Sequence, residues 1–197
     1  MLKVAVTGNI GSGKTMISRF FKTLKVPVFY ADREAKKLYD NPVVLKKMTE
    51  MFGPDLLNNS GKLNKNKLAE IIFNDKANLE KINAFIHPRV RDKFNQWLTE
   101  QKDQPYCIQE AAIVFETGLY KQFDKIILVY APEDMLIERV MKRDSVAQNQ
   151  VLKRLENQMP QKLKAELADY ILNNNNSCLL LPQMLKIHKE LIKLSGN

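Results

Sequence analysis

An α/β fold with a five-stranded parallel sheet is the expectation for this chain, and three observations carry it. Short β-branched runs alternate with amphipathic helical stretches at both ends of the sequence. A glycine-rich turn joins the first such run to the first helical stretch. Between about residues 33 and 104 the pattern turns helical without strands, as an inserted segment would.

Lys3–Thr7 reads as a buried strand stopped by Gly8. Lys14–Leu24 is helical, with Ile17, Phe20, Phe21 and Leu24 on one face. Val26–Tyr30 is a second strand, so the first thirty residues form a βαβ unit. In the insert, Pro42 opens a helix that Gly53-Pro54 stops, and Asn58–Gly61 is a turn. A further helix carries Leu68, Ile71 and Ile72. A long apolar-periodic stretch from Leu79 to Leu98 is interrupted by Pro88, which predicts a break or kink near His87. Tyr106–Glu110 and Lys125–Ala131 are strands, and Pro132 begins a helix to about Arg143. Ser145-x-x-Gln148 is a capping-box pattern for another helix, to about Gln158, with Pro160 ending it. Ala168–Leu172 is the last strand and Pro182–Leu194 the last helix.

Composition narrows the function. The longest apolar runs are far too short for a bilayer, and Val4-Ala5-Val6 ends too soon for a signal sequence, so a cytoplasmic protein is expected, with no membrane partner. Two distant cysteines, Cys107 and Cys178, and two histidines offer no metal-cluster or redox spacing; both thiols are expected reduced and buried. Lys and Arg number 31 against 22 acidic residues, a net charge of +9. The positive charges are scattered, which favours polyanionic small ligands over a nucleic-acid partner.

Gly8-Asn9-Ile10-Gly11-Ser12-Gly13-Lys14-Thr15 fits GxxxxGK[ST], the P-loop, with Met16 following in the same helix. Three of the seven glycines fall inside these residues. Glycine lets the backbone approach a ligand and turn its N–H groups inward as an anion nest. The helix opening at Lys14 aims its positive end at the same point. Lys14 is a mobile point charge for the β- and γ-phosphates, and the Thr15 hydroxyl is a hard oxygen for Mg²⁺. A nucleoside triphosphate with Mg²⁺ is therefore the expected ligand.

The reaction that nucleotide binding serves is less constrained. No NKxD motif suits a GTPase, and the chain is short for a motor ATPase. Asp32, at the end of the second strand, stands where parallel α/β folds hold ligands, and can take or orient a hydroxyl proton. It is equally suited to cap the helix opening at Arg33. Arg139 and Arg143, four apart, share a helix face, and Arg154 and Gln158 repeat the spacing. Such arginines can close over a triphosphate, or form a solvated charged face.

Taken together, these motifs resemble the dephospho-CoA kinase family. The family's TGGIGSGKS corresponds to TGNIGSGKT here, its DAD to Tyr30-Ala31-Asp32, and its His-Pro pair to His87-Pro88. VPLLFE followed by Leu-Tyr resembles Ala111–Glu116 with Leu119-Tyr120. Arg139, Arg143 and Asp144, then Arg154, Gln158 and Pro160, fit the family's arginine pattern, and Ala168–Asn174 resembles ADxxIDN. The departures are Asn9 for glycine, Tyr30 for aspartate, Ala112 for proline and Asn173 for aspartate. Asn9 then needs a loop conformation that asparagine tolerates.

The resemblance implies phosphorylation of the ribose 3′-hydroxyl of dephospho-CoA, the last step of coenzyme A biosynthesis. Asp32, Lys14, Arg139 and Arg143 are implied as catalytic. ATP lies on Gly8 to Met16 and Arg143, with Mg²⁺ on Thr15. The acceptor meets Thr7, Asp32, His87, Arg89, Phe115 and Glu116. Residues 1–32 and 105–197 form the nucleotide-binding core, with lid helices at about 139–160, and 33–104 the helical substrate domain. The expected partners are the two small-molecule substrates, on a monomer or small homo-oligomer. The alternatives are another small-molecule kinase of nucleoside monophosphate or shikimate type, and a nucleotide-gated nucleic-acid binder.

Overall fold

The structure is a computed structural model that describes residues 1–101 and 104–196. Of the expected insert 33–104, residues 102 and 103 lie outside them. The chain divides into two compact units, Met1–Tyr30 with Thr99–Asn197, and Ala31–Leu98.

The first unit is built on a sheet of five parallel strands in the order β2-β3-β1-β4-β5. These are β1 (Leu2–Thr7), β2 (Val28–Tyr30), β3 (Tyr106–Glu110), β4 (Lys125–Tyr130) and β5 (Tyr170–Asn173). β1 is central because its four last residues are all buried, which suits only a strand covered on both faces. Val4 and Val6 lie in one cluster with Ile17 and Phe21 of α1 (Lys14–Thr23) and Met184, Ile187 and Leu191 of α9 (Leu180–Leu194). Leu136 and Val140 of α6 (Glu133–Asp144) are buried as well. α7 (Gln148–Glu156), α8 (Gln161–Leu167) and a short 3₁₀ turn at Leu119–Gln122 also belong to this unit.

Several boundaries differ from expectation. β2 begins at Val28, and β5 runs two residues later than expected, from Tyr170. Ser145 does not cap α7. It has φ 53°, a left-handed conformation, and ends α6, so α7 starts only at Gln148. Pro160 does not merely end a helix: it stands immediately before α8, an extra helix of 7 residues, about two turns, that sequence periodicity was too short to show. Cys107 is buried, but Cys178 is exposed.

The second unit consists of α2 (Ala31–Leu38), α3 (Pro42–Phe52), α4 (Lys65–Asn74) and α5 (Lys76–Thr99), with a short 3₁₀ turn at Pro54–Leu56. Asn41 caps α3, accepting from the Val43 and Val44 amides, and Asn64 caps α4 through the Lys67 amide. Leu38, Val44, Met48, Leu56, Leu68, Ile82, Ile86, Val90 and Phe94 are among its buried apolar residues. Pro88 does not break α5, which is helical from Lys76 to Thr99. The apolar face on either side of the proline, Ile82 and Ile86 before it and Val90 and Phe94 after it, is buried and holds the helix together. The Arg89 guanidinium donates to the Phe85 carbonyl, one turn back along the same helix, at 2.6 Å.

Candidate active site

β1 ends at Thr7, and the chain turns through Gly8–Gly13 into α1. Gly13, the residue before α1, has φ 94°, and a Cβ on it would meet Asn174 Nδ2 at 2.5 Å. At Gly8 a Cβ would run into the Val129 carbonyl of β4. Glycine is required at both, the first for its backbone conformation and the second for the close approach. Asn9 is different. It is not among the residues of positive φ, so asparagine sits there without strain.

Lys14 opens α1 and is mostly buried; its Nζ donates to the Gly8 carbonyl at 2.7 Å and the Asn9 carbonyl at 3.2 Å. The ammonium is thus held over the loop that the sequence assigns to phosphate. The Thr15 hydroxyl donates to Glu110 Oε1 at 2.8 Å. Glu110 is the last residue of β3 and pairs in register with Val6 and Tyr30. Its second oxygen, Oε2, is buried with no hydrogen-bond partner, an arrangement that leaves a charged acceptor unsatisfied. A hydroxyl beside such a carboxylate is a hard-oxygen pair suited to a magnesium ion. Sequence reasoning passed over Glu110; its signal was a carboxylate at the C-terminal end of a strand, the edge where parallel sheets place their ligands.

The remaining residues of the first unit form two supports. On one side, Asn174 Nδ2 donates to the Ser12 carbonyl at 2.7 Å, and Arg139 Nη2 donates to the Asn174 carbonyl at 3.1 Å and to Asn176 Oδ1 at 3.0 Å. Arg139 Nη1 is buried without a partner. On the other side, the Thr7 hydroxyl donates to the Ala112 carbonyl at 3.3 Å, and the Ile10 amide donates to Gln158 Oε1 at 2.9 Å. Phe115 is buried, its ring 5.8 Å from that of Tyr120. Glu116 accepts from the Met159 amide and pairs with Lys164, both at 2.8 Å. Arg143 forms a two-bond pair with Asp144, at 2.7 and 3.0 Å, and Arg154 joins the same carboxylate at 2.8 Å. The bonds from Arg143 and then Arg154 hold the Asp144 carboxyl down at about 2. Met16 lies exposed in the first turn of α1.

Asp32, His87 and Arg89 belong to the second unit. Asp32 is not an N-cap: α2 starts at Ala31, which places the carboxylate inside the first turn, where the helix dipole favours it. The structure brings Asp32 and His87 close enough for their charges to act on one another. Burial pulls the His87 imidazole below its ordinary range, and Asp32 pulls it up. Tyr39 is pushed up by burial first and by Asp32 second. Arg89 also lies over the Phe85 ring, 3.8 Å from its centre. Among the described residues, no group of three His, Cys, Asp or Glu side chains suits a metal ion.

A glycine-rich loop after the central strand of an all-parallel sheet, running into a helix that opens with a lysine and a threonine, is the P-loop arrangement, and it places the molecule among the P-loop phosphoryl-transfer proteins. Comparison with known proteins narrows the class. Residues 2–179 match the family described as Dephospho-CoA kinase. Curated dephospho-CoA kinases from Porphyromonas gingivalis and Bacteroides fragilis are 39% and 34% identical over 189 and 187 residues, covering 95% and 94% of this chain and 93% and 91% of theirs. The solved dephospho-CoA kinase of Campylobacter jejuni superposes with TM-score 0.69 at 28% identity, covering 97% of both chains. A solved Thermus thermophilus protein superposes with TM-score 0.85 at 29% identity, covering 96% of both. A shikimate kinase from Acinetobacter baumannii, TM-score 0.55 at 13% identity, shares the fold alone.

The chain belongs to the dephospho-CoA kinase family. Its activity is the ATP-using phosphorylation of dephospho-CoA, the final step of coenzyme A biosynthesis. The nucleoside monophosphate and shikimate alternatives are thereby set aside.

Proposed function

We propose a division of this reaction between named residues. Gly8–Met16 bind ATP, and Lys14 trades its two loop carbonyls for the β- and γ-phosphates. Asp32 accepts the proton of the ribose 3′-hydroxyl. In the transfer, the bond between the γ-phosphorus and the β,γ-bridging oxygen breaks and the bond to the 3′-oxygen forms, leaving ADP. Positioning and charge neutralisation carry most of such a step. His87, Arg89, Thr7 and Phe115 contact the acceptor, and the helical insert, 33–104, is its binding domain. Arg143, in a lid of about 139–160, exchanges Asp144 for phosphate on closure. Arg139 steadies the Asn174–Asn176 loop beside the phosphate cradle and turns its unpartnered Nη1 toward the nucleotide.

Thr15 and Glu110 are the residues that would hold magnesium, and the unsatisfied Glu110 oxygen supports that fit. When bound, the ion neutralises charge on the phosphate oxygens. No described helix is long and apolar enough to cross a membrane. The reading keeps a cytoplasmic enzyme, monomer or small homo-oligomer, whose partners are its two substrates.

The observation that carries this reading is the buried Lys14 ammonium lying against its own glycine-rich loop at the helix start. The test is an acceptor panel with Lys14→Ala beside it. Wild-type protein should consume ATP with dephospho-CoA and not with AMP or shikimate. The alanine variant should lose both nucleotide binding and turnover; normal turnover in it would end the phosphate-cradle account.

A further inference from the structure

Lys164 is fully buried, and nothing in the assigned chemistry uses it. Its Nζ lies 2.8 Å from Glu116 Oε1 and donates to the Ala112 carbonyl at 3.3 Å. Burial pushes the ammonium below its usual range, and Glu116 holds it up. A buried ion pair adds little stability over an apolar pair of the same size, so the question it raises is what the placement of Glu116 holds in position.

Glu116 Oε1 also accepts from the Met159 amide at 2.8 Å. That fixes the turn between α7 and α8, and the turn grips the phosphate loop at two adjacent residues. Gln158 Oε1 accepts from the Ile10 amide at 2.9 Å. Asn9 Nδ2 donates to the Met159 carbonyl at 3.4 Å. The second bond needs a side chain where the family pattern has glycine, so this chain carries a rung that a glycine cannot supply. The Ala112 carbonyl, besides Lys164, also receives the Thr7 hydroxyl from the end of β1.

We infer that Lys164 is a positioning residue for phosphoryl transfer: through Glu116 it holds the Gln158–Met159 turn against Asn9 and Ile10, and so keeps the phosphate loop in its ATP-binding shape before ATP arrives. Within the loop the Asn9 carbonyl accepts from the Ser12 amide at 3.1 Å and from Lys14 Nζ at 3.2 Å, whereas the Ile10 amide finds its partner outside the loop, in Gln158. A neutral carboxamide is suited to the task, because it satisfies a loop amide without setting a negative charge beside a triphosphate. Preorganised donors cost no rearrangement on binding, and this clamp supplies the preorganisation for one side of the loop. The inference rests on the assignment of ATP to Gly8–Met16.

The test compares Gln158→Ala, Lys164→Met, the double variant, Asn9→Gly and Lys14→Ala, assayed well below each variant's melting temperature. Gln158→Ala should raise the KM for ATP by about tenfold and leave the KM for dephospho-CoA within about twofold. Lys164→Met should do the same, and the double variant should be no worse than the poorer single, since both act through one turn. Gln158→Glu keeps an acceptor for the Ile10 amide but adds charge, and should bind ATP more weakly than Gln158→Ala. Asn9→Gly should raise the KM for ATP by about twofold.

A merely structural Lys164 would lower the melting temperature with KM values per folded molecule unchanged, and that result overturns the inference. So does a double variant whose losses multiply. If Lys164→Met does not fold, Gln158→Ala decides alone, and wild-type KM for ATP in it overturns the proposal. Loss of ATP binding in Lys14→Ala with normal Gln158→Ala sinks the clamp only. Normal behaviour of Lys14→Ala sinks the cradle and the clamp with it.

Discussion

Asp32 and Glu110 are two carboxylates that sequence reasoning treated very differently, and each makes its own prediction. Asp32 sits in the first turn of α2, with its charge felt by His87 and Tyr39. Asp32→Asn should leave ATP affinity near normal, measured by calorimetry, while turnover in a coupled assay falls by roughly tenfold to ten-thousandfold, the range for a lost acid–base group. Undiminished turnover would show that the carboxylate serves only the helix dipole. Glu110 sits behind Thr15 with one oxygen unsatisfied. Glu110→Gln removes the charge and keeps the shape. The magnesium concentration giving half-maximal rate should rise by about tenfold or more; an unchanged magnesium titration would remove Glu110 from the metal site. Asp32 became a candidate from its place at the end of the second strand, and the resemblance then pointed at the same position. Glu110 was hidden inside an ordinary strand pattern, since only sheet order shows which strand ends adjoin β1.

Among the elements, the helices obey their apolar faces more closely than their punctuation. α5 passes through Pro88 because Ile82, Ile86, Val90 and Phe94 are buried on both sides of it. The Ser145-x-x-Gln148 pattern fits a capping box, yet the tertiary path requires Ser145 at φ 53° to end α6. A local signal worth about 1 kcal/mol loses to packing on that scale. Lys25 shows the same override just past the end of α1, where it takes φ 64° while its amide bonds to the Lys22 carbonyl. A left-handed residue without glycine costs about 1–2 kcal/mol. Lys25→Gly should therefore raise stability by about 1 kcal/mol after the flexibility that glycine adds to the unfolded chain is set against it, read from the urea midpoint at constant slope. A lower midpoint would mean that the exposed lysine stem contributes more than the strain removes.

For the molecule as a whole, acid is the informative stress. His188 of α9 meets Tyr106 of β3 at 2.6 Å beneath the sheet's core cluster. Burial pulls the His188 imidazole down, as it does at His87. A folded-state pKa below the unfolded value means that stability is complete above the unfolded pKa, about 6.5, and is lost as pH falls below it. Melting temperature should thus hold steady from pH 8 to 7 and decline below about 6.5. His188→Gln should flatten part of that decline, and an unaltered pH profile in it would assign the loss elsewhere.

The sequence by itself determined the parallel α/β class, the GxxxxGK[ST] motif after the first strand and the family. Each of these is written in local periodicity or contiguous motif, which neighbouring residues encode without knowledge of the fold. Tertiary structure alone decided that Glu110 backs Thr15, that Asn174 braces Ser12, and that Lys164 is an interior charge tied to Glu116. Those pairs lie 95, 162 and 48 residues apart in the chain. Such distant partners carry no periodic signal, and they meet only because the order of strands in the sheet draws their loops to one edge.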